Sequence, residues 1–247
     1  MTILFCRSAK WKPRDREEKP WISNYFIGKR GGGEPLILLH GNGEDGSYFV
    51  HQIEHFQSRY RVIALDTRGH GRSPRGSAPF TIRQFALDLY DFLRAHEIPS
   101  AVLLGFSDGA NIAMQFALDH PEMVRALILN GGNLDPSGVR RSTQLPIELG
   151  YRIAKHFASR SAGARKNAEL LGLMVNEPHL TPADLSRLSM PALVICGTRD
   201  MIRGSHSKMI ADSLPHASLT ILPGDHFLAN KRPAAFNRAV DDFLKTI

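Results

Sequence analysis

Residues 102–120 read VLLGFSDGANIAMQFALDH, and the fold turns on this stretch. Val102-Leu103-Leu104 is a short apolar run of strand character. Gly105-Phe106-Ser107-Asp108-Gly109 then reverses the backbone, and residues 110–119 follow with helical spacing, Ile112, Phe116 and Ala117 sharing one face. Gly105 and Gly109 lack a Cβ, so the turn can be sharp and the helix can lie close to neighbouring strands. The start of that helix aims backbone N–H groups at whatever meets Ser107. Serine is also a favoured N-cap residue, so the pentapeptide alone has two readings: a helix cap or a reactive hydroxyl.

Outward from this turn, short apolar runs alternate with amphipathic stretches. Strands are expected at 36–39, 61–65, 101–104, 124–129, 192–196 and 219–222, with earlier candidates at 2–6 and 21–27. Helices are expected at about 47–58, from Thr81 onward, at 205–214 and from Pro233 onward. Thr81 can cap its helix, with Gln84 at the capping-box position and Ile82, Phe85, Leu89, Phe92 and Leu93 in one stripe. Pro233 suits a first helical turn ahead of Phe236, Val240, Phe243 and Leu244. This spacing predicts an α/β fold with a mostly parallel sheet and helices on both faces. The alternation stops from 133 to 189, where helical patterns at 144–159 and 162–175 stand without a strand. That segment reads as a small helical cap inserted between two core strands. Three units follow: a charged arm or irregular first strand at 1–20, a core at 21–132 and 190–247, and the cap at 133–189.

Composition bounds the chemistry. With 247 residues, 43% hydrophobic and 22% charged, the chain is ordinary for one globular domain. No apolar run approaches the roughly 18 residues of a membrane span. The N-terminus lacks the order of a secretion signal, so a cytoplasmic protein without a membrane partner is expected. Two cysteines, Cys6 and Cys196, make no disulfide framework, and Cys196 reads as a buried small hydrophobe. His40, His51 and His55 lie near one another but without the cysteines or carboxylates of a metal site, so no metal is expected. The net charge of +7 is spread along the chain and carries no nucleic-acid motif. Residues 133–175 nevertheless hold seven Lys/Arg against three Asp/Glu, a local bias toward anionic ligands.

A serine hydroxyl needs a base to take its proton, and the base needs an orienting acid. Functional groups of parallel sheets gather just beyond the C-terminal strand ends. Three candidates fall there. Ser107 follows 101–104, Asp200 follows 192–196 through Gly197-Thr198-Arg199, and His226 follows 219–222 through Pro223-Gly224-Asp225. His216 precedes its strand and His206 lies in or before a helix, so neither rivals His226. Asp225 rivals Asp200, but adjacent side chains on an extended loop point apart, which favours Asp200. Two N–H donors must face the developing oxyanion. Asp108 N–H is one; Asn42, in the loop after 36–39, is the natural second, with Gly43 behind it. His40 is expected to tie that loop together. The Asp108 side chain has two readings: attraction of a substrate ammonium, or a turn away to cap or salt-bridge. Tyr151, Leu171 and Met174 are candidates either for lining an acyl pocket or for simple cap–core packing.

His40-Gly41-Asn42-Gly43, Asp66-x-Arg68-Gly69-His70-Gly71-x-Ser73, the G-x-S-x-G nucleophile elbow and the Asp200 and His226 loops together resemble the α/β-hydrolase superfamily, from about Trp21 to the C-terminus. Gly-Phe-Ser-Asp-Gly is similar to the elbow of small carboxylesterases of the biphenyl-hydrolase-like and valacyclovir-hydrolase-like groups. The resemblance implies the α/β-hydrolase fold and cofactor-free hydrolysis of small esters; a monomer or homodimer is expected. The same triad could instead serve carbon–carbon bond hydrolysis, a lyase step or thioester cleavage. A ligand receptor that keeps the fold without turnover is the alternative of another class.

Overall fold

The computed structural model describes residues 33–247. The strands expected at 2–6 and 21–27, the arm at 1–20 and Cys6 lie outside them. Six parallel strands form one sheet in the order β2-β1-β3-β4-β5-β6. They are β1 (Pro35–Leu39), β2 (Arg61–Leu65), β3 (Ala101–Phe106), β4 (Val124–Asn130), β5 (Ala192–Gly197) and β6 (Ala217–Leu222). The helices are α1 (Val50–Phe56), α2 (Ile82–Ala95), α3 (Asp108–Asp119), α4 (Arg141–Phe157), α5 (Ala162–Asn176), α6 (Pro182–Leu185), α7 (Gly204–Ser213), α8 (Leu228–Lys231) and α9 (Pro233–Leu244). None is long and apolar enough to cross a membrane.

The central strands are buried almost throughout, Pro35 and Arg125 excepted, because both faces are covered. Successive side chains serve opposite layers. Ile37, Leu39 and Leu103 join the layer packed by α2, α3 and α7, whereas Leu36, Leu38, Val102 and Leu104 join the layer packed by α1, α8 and α9. Every strand expected from 36 onward is present, most of them one or two residues longer.

Helix starts differ in detail. Thr81 Oγ1 accepts the Gln84 N–H at 3.2 Å, but the Gln84 side chain donates to Asp88 instead of reaching back. The full capping box lies at Thr181, whose hydroxyl and N–H both engage Asp184, on the short α6 that periodicity missed. Four residues are too few to show a helical period.

The helical segment between β4 and β5 is present as α4, α5 and α6. It is tied to the strand-end loops of the core at several points, and at the start of α4 the Arg140 guanidinium donates to the Asp200 carbonyl at 2.7 Å. Glu169 of α5 takes a two-pronged bond from Arg75, 2.9 Å from Nε and 2.7 Å from Nη2. The Leu170 carbonyl accepts from the Asn42 side chain at 2.8 Å.

Gly105 and Gly109 are required by close backbone approach. A Cβ on Gly109 would collide with the Leu39 and His40 carbonyls, and one on Gly105 with the Gly109 carbonyl. Gly109→Ala must therefore push α3 off the ends of β1 and β3. The expected cost is about 3 kcal/mol, the upper end for overpacking because main chain rather than a side chain must move, read as a lowered denaturant midpoint.

Candidate active site

β3 delivers Ser107 to a backbone conformation few residues adopt, φ 53 and ψ −118. Such a conformation costs of order 1–3 kcal/mol and persists only where its surroundings impose it. The Ser107 N–H donates to the Asn130 carbonyl at 2.8 Å, and the Ser107 carbonyl accepts from Ala110 and Asn111 N–H at 2.9 and 3.2 Å. Its hydroxyl makes no capping bond to α3, which removes the helix-cap reading.

His226 and Asp200 arrive from two other strand ends. His226 Nδ1 lies 2.7 Å from Asp200 Oδ1, and both side chains are buried. Asp200 also accepts the Ile202 N–H at 2.9 Å and the Gly197 N–H at 3.3 Å. Burial alone would raise its pKa, but the bond to His226, the charge of that ring and the two N–H donors together hold it below the ordinary carboxylate range. Asp225, the rival acid, turns outward: its Oδ2 is 2.5 Å from Lys231 Nζ and its Oδ1 accepts the Phe227 N–H.

The His226 ring lies 4.8 Å from the Phe106 ring, next to Ser107 in the chain. A Ser107–His226 hydrogen bond is not among those formed by the described residues; such bonds are commonly long in resting sites and tighten when substrate is held. Gly131, which sequence reasoning missed, completes this corner. It adopts φ +65, and a Cβ there would stand 2.7 Å from His226 Cε1. The signal was available in the Gly131-Gly132 pair directly after β4.

The loop after β1 is held as expected. His40 Nε2 accepts the Thr67 N–H at 3.0 Å, so the ring carries its proton on Nδ1, which donates to the Gly41 carbonyl at 2.7 Å. Burial pushes its pKa down to about 4, so the ring stays neutral. His206 is likewise structural, accepting the Leu134 N–H at 2.9 Å.

The Asn42 side chain bridges two partners: its Nδ2 donates to Asp108 Oδ2 at 3.0 Å and to the Leu170 carbonyl. The Asp108 carboxyl thus neither caps nor salt-bridges; it faces the loop whose N–H groups are the expected second oxyanion donors. Burial raises its pKa to about 6, against the lowering effects of Asn42 and of His226. Glu44, also missed, accepts the Gly41 N–H at 3.3 Å, and burial raises it to about 7. Gly43 sits in the left-handed region at φ +77, with open space around it.

Tyr151 and Leu171 meet the opposing glycines of the α4–α5 seam, Tyr151 against Gly172 and Leu171 against Gly150, while the Met174 carbonyl accepts from Gln144. Among the described residues no group of three or more His, Cys, Asp or Glu could hold a metal ion. Chemically, the assembly offers a hydroxyl on a strained turn, a histidine oriented by a buried carboxylate, and main-chain N–H groups at a helix start.

Known proteins resemble this chain in sequence and fold. The family model for the alpha/beta hydrolase fold matches residues 34–150. A 3-oxoadipate enol-lactonase from Acinetobacter baylyi is 28% identical over 85% of this chain and 88% of its own. Among solved structures, an enol-lactonase from Burkholderia xenovorans superposes with a TM-score of 0.73 at 22% identity, covering 87% of this chain and 92% of that one. A thermophilic esterase from Thermogutta terrifontis gives 0.73 at 23%, covering 88% and 91%.

The raised Asp108 pKa sets a pH dependence of stability. Between 3.8 and about 6 the unfolded chain has released this proton while the folded chain keeps it, so stability falls as pH rises through that window and then levels off. Asp108→Asn keeps an acceptor for Asn42 without the charge. The variant is expected to gain about 1 kcal/mol over the wild type on going from about pH 4 to about pH 7, once solvent screening of this half-buried group is allowed for, measured by urea unfolding at each pH.

Proposed function

Because the chain belongs to the α/β-hydrolase superfamily, we propose that it is a serine hydrolase of the carboxylesterase type, cleaving small carboxylic esters through an acyl-enzyme. The observation that carries this reading is the buried 2.7 Å bond between His226 Nδ1 and Asp200 Oδ1. It directs the other ring nitrogen, Nε2, away from the carboxylate and leaves it for the serine.

In this mechanism Ser107 Oγ attacks the ester carbonyl while His226 Nε2 accepts its proton. Asp200 holds the ring orientation and stabilises the imidazolium that forms. Asp108 and Asn42 N–H groups bind the oxyanion, with Gly43 N–H as the alternative donor. His226 then returns the proton to the departing alcohol. Water, activated by the same histidine, releases the acid. The steps need no cofactor.

The 133–189 segment acts as the cap, and Asn42 joins it to the oxyanion loop through Leu170. Lactones fall within the reading, since a lactone is a cyclic ester; enol-lactonase is the name of two of the similar proteins. The Asp108 charge opposes an oxyanion and favours an ammonium, so esters bearing an amino group should depend on it and neutral esters should not.

Hydrolysis of short p-nitrophenyl esters tests the proposal. Wild type should turn over and Ser107→Ala should not. Asp200→Asn should lose about 10⁴-fold in kcat, while Asp225→Asn stays within a few fold. Ligand binding with no turnover by the wild type would replace this reading with that of a receptor.

A further inference from the structure

The outer face of α4 carries four large apolar side chains at intervals of four residues. Leu145, Leu149, Ile153 and Phe157 are 51, 61, 54 and 45% exposed. Single exposed hydrophobics are ordinary, but four in register form a stripe about 18 Å long at 1.5 Å per residue. The inner face of α4 is already satisfied. Gln144 and Ala154 are buried, and Tyr151 and Gly150 engage α5. The helix therefore has two faces with apolar side chains, and the described residues cover one.

We propose that the uncovered face is a docking surface for an anionic lipid layer. Charge decides the occupant. Arg141 and Arg152 flank the stripe along the helix, Lys155 and Arg160 follow toward its C-terminal end, and Glu148 is the one acidic residue of α4. None of the four cations forms an ion pair with a described carboxylate. A second copy of the chain would bring these like charges face to face, in a protein of net charge +7. An anionic headgroup layer instead accepts the cations while its acyl boundary takes the apolar side chains, as a basic amphipathic helix does at an interface. α4 packs on α5, and α5 rather than α4 makes the insertion's bond to the Asn42 loop. Such docking runs against the expectation of no membrane partner drawn from the sequence and requires no spanning helix.

Co-sedimentation of the full chain with vesicles tests it. Wild type should bind vesicles of equal parts phosphatidylcholine and phosphatidylglycerol at low salt, lose binding as salt is added, and bind pure phosphatidylcholine about tenfold less. The double variant L149E/I153E should bind anionic vesicles at least about tenfold less, with an unchanged circular dichroism spectrum and melting midpoint. The double variant R141Q/R152Q, which keeps the stripe, should lose about tenfold and much of the salt dependence. Failure of the wild type to bind anionic vesicles overturns the proposal. So does equal binding by L149E/I153E. A wild-type dimer seen by light scattering and dissolved by L149E/I153E, with no vesicle binding, would assign the stripe to a second copy.

Discussion

The molecule depends on one close approach, that of the α3 start to the ends of β1 and β3. Gly109 lies against the Leu39 and His40 carbonyls, and Gly105 lies against Gly109, with no room for a Cβ at either position. This contact forces Ser107 into its strained conformation and keeps it there through the Asn130 carbonyl and two α3 N–H groups. Strain of a few kcal/mol is sustained because the buried strands on both sides hold the turn from independent directions. The same approach brings the loop after β1 beside the first turn of α3, so that Asn42 and Asp108 meet.

Electrostatics around the turn divide three acidic groups into two kinds. Asp200 is surrounded by donors and stays ionised, which suits a group that must orient a histidine and face its positive charge. Asp108 and Glu44 are shielded from water with fewer donors, and their pKa values move up to about 6 and about 7. Both feel His226, and with values near 6 and 7 their own charge varies across the neutral range. Carboxyls that share His226 as a neighbour thus titrate differently because their solvation differs.

The helical insertion is attached to the core by polar contacts, Arg75 to Glu169 and Asn42 to Leu170, besides apolar packing at Leu173 and Leu185. The Asn42 contact joins the insertion to the loop proposed to hold the oxyanion. Movement of α5 would therefore be felt at Asn42, and through it at Asp108. The outer helix α4 is anchored at its start by Arg140, which donates to the Asp200 carbonyl, and carries an exposed apolar stripe along its length.

Much of this was legible in the chain. Strand positions followed from apolar runs, because both faces of a parallel sheet are buried and the side chains record it. The order of Ser107, Asp200 and His226 at three strand ends followed from the same pattern, and glycines at 105 and 109 announced a turn too tight for side chains. The sequence could not say which face a loop side chain takes. Asp200 and Asp225 are equally acidic; what separates them is that Asp225 finds Lys231 at the surface while Asp200 is enclosed by Ile202, Gly197 and His226. Gly131 matters because of a histidine 95 residues away, and Glu44 and Asp108 are raised by burial that local sequence does not encode. Periodicity also merged the two apolar faces of α4, because it counts apolar residues without knowing which have a partner. Local sequence determined the elements and the strand ends at which reactive groups stand. Tertiary structure decided their orientation, solvation and partners, since these depend on residues brought together only when the chain is folded.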